Sequence, residues 1–170
     1  MCNTCIQSRK KSENDTGVLM GNIIVLGIGN RLMMDDGIGI YLVEELMRDE
    51  HEQNIQYIIG ESDIDYCIQQ IENATFVIII DCTITGGQPG DVTIHALNNV
   101  FDSHLLDFSL HNLHLFQVLY QLRNQMTGYL IGIEPYEITF NYGLSEVLGN
   151  KMNQIIKSVK EAIVQLTDMQ

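Results

Sequence analysis

Two adjacent carboxylates, Asp35 and Asp36, stand inside a glycine-flanked segment, Gly27-Ile28-Gly29-Asn30-Arg31-Leu32-Met33-Met34-Asp35-Asp36-Gly37-Ile38-Gly39. The residues before it, Ile23-Ile24-Val25-Leu26, are apolar throughout and read as a buried parallel strand. An amphipathic helix begins near Gly37. The acid pair therefore lies at the mouth of a strand-to-helix turn, where open α/β sheets bind ligands. Two further polar residues fall at the ends of elements. Asp81 follows Val77-Ile78-Ile79-Ile80, and His111 opens a predicted helix after Phe108-Ser109-Leu110. The first and third strands of such a sheet are commonly neighbours, so Asp36, Asp81 and a helix-start histidine can share one rim. Two carboxylates and an imidazole form an open shell for a divalent metal, with positions left for water or a partner's ligand.

Each residue also has a plainer reading. Asp35 and Asp36 would cap the helix and favour its positive end. Asp81 would terminate its strand by accepting backbone N–H groups. His111 is one of five histidines with His51, His95, His104 and His114. His114, one turn further on, competes for the same role. Dinucleotide binding is disfavoured: Gly27 and Gly29 fit the first two positions of G-x-G-x-x-G, but Leu32 occupies the third. The chain has no G-x-S-x-G elbow and no H-E-x-x-H helix. Cys82 follows Asp81 with no cation beside it in sequence to lower its pKa, which argues against a thiolate nucleophile.

Strands are predicted over residues 22–28, 55–59, 76–81, 92–97 and 129–133. Helices are predicted over 37–48, 63–71, 110–124 and 145–166, the second with Ser62 or Asp63 as its cap. The all-apolar strand at 76–81 should be central, and the alternating one at 92–97 an edge strand. Gly86-Gly87-Gln88-Pro89-Gly90 is turn chemistry. Strands alternating with helices predict a doubly wound α/β sheet with right-handed crossovers.

A chain of 170 residues suits one domain with a sizeable core, here residues 21–170. Residues 1–20 are polar and without periodicity, which reads as a flexible extension. Cys2 and Cys5 within it have the spacing of half a metal or redox site, with no matching second half, since Cys67 and Cys82 stand alone. A net charge of −13 argues against nucleic acid and anionic membrane as partners. No apolar run reaches transmembrane length, no secretory signal is visible, and Cys67 and Cys82 read as buried free thiols. A cytoplasmic location is expected.

The segment 27–39 matches G-x-G-N-x-L-x-x-D-[DE]-G-x-G throughout, and with it the chain resembles the hydrogenase maturation endopeptidases. The resemblance continues at Ile80-Asp81, at Gly87-Gln88-Pro89-Gly90, and at Ser109-Leu110-His111. It extends to Ile131-Gly132-Ile133-Glu134-Pro135 and Gly143-Leu144-Ser145, and covers about residues 21–168. It implies a three-layer α/β/α sandwich around a five-stranded, mostly parallel sheet whose penultimate strand is antiparallel. It implies an aspartic-type endopeptidase that trims a C-terminal peptide from the large-subunit precursor of a nickel–iron hydrogenase after nickel insertion. The family's metal-contacting acid, aspartate and histidine fall on Asp36, Asp81 and His111. The nickel would be carried by the substrate, and zinc or cadmium would suit the same donors. Two other functions use the same residues or fold. One is a peptidase with a resident zinc acting on another protein. The other is a non-catalytic module that binds a metal or a protein.

Overall fold

A computed structural model of the chain describes residues 23–48, 54–102, 113–122 and 127–169. The strand β3 (Phe76–Cys82) is buried along its whole length and lies at the centre of a five-stranded sheet. Apolar residues on both of its faces require cover on both sides, and each fully buried isoleucine contributes about 1.5–3 kcal/mol. Around it lie β1 (Ile23–Ile28), β2 (Ile55–Glu61), β4 (Val92–Ala96) and β5 (Thr127–Ile133), in the order β2-β1-β3-β5-β4. All pairings are parallel except β4 with β5. The alternating segment after the glycine-rich turn is thus the antiparallel edge strand.

One face of the sheet is covered by α1 (Ile38–Arg48) and α5 (Glu146–Thr167). Ile38, Leu42, Val43, Ile155, Val159 and Ile163 pack there on Val25, Ile78, Ile80 and Ile131. The other face is covered by α2 (Ile64–Ile71), α3 (Leu97–Asp102) and α4 (Leu113–Leu122), packed on Ile24, Leu26, Val77, Ile79 and Leu130. The connections out of β1 and into β3 therefore run over opposite faces. Their divergence puts a topological switch point at the carboxyl ends of β1 and β3. Asp63 caps α2, accepting from Tyr66 N at 3.0 Å. The short α3 continues directly from β4 and was not expected from sequence. None of the described helices is long and apolar enough to cross a membrane. The extension at 1–20, with Cys2 and Cys5, lies outside the described residues.

The close seat of α1 depends on glycine. A Cβ on Gly39 would overlap Ile80 O and Ile28 O, and one on Gly27 would lie 2.5 Å from Gly39 O. The helix thereby starts directly against the ends of β1 and β3. This is the close helix–strand approach that the third glycine supplies in a dinucleotide fold, moved seven residues beyond Leu32.

Candidate active site

The chain leaves β1 through Gly29, whose φ of 132° is open only to glycine and whose Cβ would overlap Asp36 O. Asn30 shapes the turn, its Oδ1 accepting from Leu32 N at 2.9 Å. A single 3₁₀ turn, Met34–Gly37, then precedes α1. With three residues per turn, consecutive side chains point about 120° apart, so the two acids cannot face the same way.

Asp35 is fully buried and faces the segment between β5 and α5. Its Oδ2 accepts from Tyr136 N (3.0 Å), Glu137 N (3.0 Å) and Ser145 Oγ (2.8 Å), and its Oδ1 from Ser145 N (2.7 Å). Ser145 Oγ in turn accepts from Leu148 N at 3.2 Å as the N-cap of α5. Backbone bonds join the same segments: Met34 N to Asn141 O and Asn141 N to Leu32 O, both 3.0 Å, and Gly143 N to Arg31 O at 3.3 Å. Asp35 is therefore a strut between the start of α1 and the start of α5. It neither caps α1 nor acts as half of a paired site. Asp36 is also buried, at 4% exposure, and the 3₁₀ geometry turns it away from the side that Asp35 faces.

Asp81 occupies the penultimate position of β3 and is fully buried, its Oδ1 accepting from Cys82 N at 2.8 Å. Strand alternation places it with Val77 and Ile79, on the face covered by α4. Cys82 faces the other way. Burial pushes its thiol well above the usual range, and the carboxylates of Asp81, Asp36, Asp35 and Glu134 push it further, in that order. Four carboxylates acting on one thiol are gathered around the carboxyl end of β3. Cys82 is thus a protonated, buried thiol and no nucleophile.

Glu134 was not singled out as a site residue from sequence. It directly follows β5, 6% exposed, and accepts from Thr85 N (2.8 Å), Thr85 Oγ1 (2.6 Å) and Gly86 N (3.1 Å). Its backbone pairs with Gly90 and Asp91. Burial raises its pKa, but the bonds from Thr85, Gly86 and Gly87 outweigh that and hold it below the usual carboxylate range. Glu134 fixes the turn at 83–90 beside Asp81. The available signal was the one Asp81 shows, an acid directly after a buried apolar strand.

His111 lies outside the described residues, as do His51 and His104. The backbone of α4 begins two residues after His111, and His114 lies in its first turn. Leu115, Phe116 and Leu119 of α4 pack on the face toward which Asp81 alternates. Among the described residues no three His, Cys, Asp or Glu side chains form a group able to hold a metal ion.

Residues 40–162 match the family model described as hydrogenase maturation protease, HycI. A Methanocaldococcus jannaschii protein placed among the hydrogenase maturation proteases is 31% identical over 153 residues, 82% of this chain and 89% of its own. The hydrogenase expression/formation protein HupD of Thiocapsa roseopersicina is 28% identical over 156 residues, 84% of this chain and 68% of its own. The fold is that of the hydrogenase maturating endopeptidase HybD of Escherichia coli. The TM-score is 0.71 at 24% identity, over 85% of this chain and 93% of that one. The maturation protease HycI of Thermococcus kodakarensis superposes with a TM-score of 0.67 at 22% identity, over 83% and 91% of the two chains. With its sheet, its carboxylate-lined rim and these relatives together, the chain belongs to the hydrogenase maturation protease family and is a peptidase.

Proposed function

We propose that this peptidase removes a C-terminal peptide from a nickel-loaded hydrogenase large-subunit precursor, and that the precursor's own nickel docks on Asp36, Asp81 and His111. The observation that carries the reading is the pair of buried carboxylates, Asp36 and Asp81, brought by separate elements to the carboxyl end of β3. Ionised carboxylates and a neutral imidazole are suitable donors for nickel, and zinc or cadmium would suit them too. Recognition through the cargo metal would confine cleavage to precursors that have received it.

The surroundings suit a protein-sized substrate. The segment that Asp35 fixes carries Tyr136, Ile138, Phe140 and Tyr142, all exposed, with Phe140 at 80% and Tyr142 at 71%. Leu32 and Ile84 are exposed beside the elements that bear Asp36 and Asp81. Large apolar side chains held outward on a fixed segment mark interaction surfaces. The free thiols of Cys67 and Cys82 fit a reducing, cytoplasmic setting.

The test is incubation of the protein with nickel-loaded and nickel-free large-subunit precursor, read by mass spectrometry. Loss of the C-terminal peptide from the nickel-loaded form alone is the expected result. Cleavage of both forms points to a peptidase with a resident zinc, and cleavage of neither to a peptidase that acts on another protein.

A further inference from the structure

Three buried side-chain atoms among the described residues have no hydrogen-bond partner: Tyr41 Oη, Thr83 Oγ1 and His95 Nε2. Thr83 is the one at the site. Its N–H donates to Ile133 O at 3.0 Å, so its backbone donor is satisfied and only the hydroxyl is orphaned. A Cβ on Gly132 would collide with Thr83 Oγ1 and lie 2.9 Å from Thr93 Oγ1. Gly132 pairs with Asp81 on one side and with Thr93 on the other. Paired residues of neighbouring strands share a face, so the missing Cβ of Gly132 marks the Asp81 face. The Thr83 hydroxyl fills the space that Gly132 leaves there, in the row that begins with Asp81. Thr93 Oγ1 has its own partner, Gly132 O at 3.4 Å.

An unsatisfied buried hydroxyl costs about 1–3 kcal/mol, which a valine of the same shape would avoid. Stability alone therefore favours valine at position 83. The carboxylates gathered at this end of β3, Asp36, Asp81 and Glu134, accept hydrogen bonds and donate none when ionised. A peptide placed among them needs a donor for its carbonyl oxygen.

We propose that Thr83 is a substrate-binding residue whose hydroxyl donates a hydrogen bond to a carbonyl oxygen of the precursor's peptide chain as that chain lies against Asp81. This rests on the processing function proposed above. Thr83 and Asp81 are both buried, 1% and 0% exposed, and lie on the same face two residues apart, so a chain that displaces the cover over the carboxylate lies next to the hydroxyl.

The experiment compares wild type, Thr83→Val and Thr83→Ser on nickel-loaded precursor below saturation, with a thermal melt of each. Thr83→Val should melt at or above the wild-type temperature yet process about 10- to 100-fold more slowly, the kinetic equivalent of one unmade buried hydrogen bond. Thr83→Ser, which keeps the hydroxyl, should stay within a few-fold of wild type. A Thr83→Val protein that processes at the wild-type rate overturns the inference and leaves the processing function standing. A wild type that leaves the precursor uncut overturns both. If Thr83→Val does not fold, Thr83→Ala against Thr83→Ser reads the same hydroxyl, and equal rates overturn the inference.

Discussion

Asp35 and Asp36 are neighbours in sequence and do different work. Asp35 holds four donors, three of them backbone N–H groups that lose this acceptor if it is removed. Asp35→Ala should cost about 3 kcal/mol or more, and so lower the melting temperature of a domain this size by about 6–12 °C. Asp36→Asn should leave melting far less changed while abolishing precursor processing. Denaturation and processing assays on the two variants separate the roles; a strongly destabilised Asp36→Asn with normal activity would reverse the assignment. The sequence marked the pair but could not divide it. The donors that capture Asp35 lie 101 to 110 residues downstream, and nothing local to residue 35 announces them.

The strands were legible because their burial is written into unbroken apolar runs such as Phe76 to Ile80, and the edge strand because residues 92–97 alternate; its antiparallel direction came from the family resemblance and not from the alternation. α3 was not legible, since six residues that continue a strand carry too little helical period to separate from it. The role of Glu134 was hidden for the same reason as that of Asp35: Thr85 and Gly86 are 49 and 48 residues away. Two outcomes are expected at this scale. Gly39→Ala should destabilise by about 3 kcal/mol or more, because the methyl meets backbone oxygens of β1 and β3 and backbone cannot yield as a side chain can. A chemical denaturation curve measures it. Glu134 has a folded pKa below its ordinary 4.5, so the unfolded chain binds the proton more readily. Its contribution to stability is present above 4.5 and is lost as pH falls through the lowered folded value. Glu134→Gln should therefore be less stable than wild type at neutral pH, and the gap between their melting temperatures should close in acid below that window. A gap that does not change with pH would show that the charge of Glu134 contributes nothing.

At the scale of the molecule, β3 and the turn after β1 bring Asp81 and Asp36 to one end of the sheet, and the segment held by Asp35, with Tyr136, Ile138, Phe140 and Tyr142, borders that turn. Substituting Phe140 and Tyr142 together by serine should leave the melting temperature nearly unchanged, because both side chains are already in water. It should raise the precursor concentration needed for half-maximal processing. Unchanged concentration dependence would remove this surface from substrate binding. The central claim is that the carboxyl end of β3 receives the precursor through Asp36, Asp81 and His111. The most direct measurement is the mass of a nickel-loaded large-subunit precursor after incubation with wild type, Asp81→Asn and His111→Ala, each shown to be folded. Loss of the C-terminal peptide with wild type and an intact precursor with both variants is the predicted result. Equal processing by either variant and wild type would contradict the account.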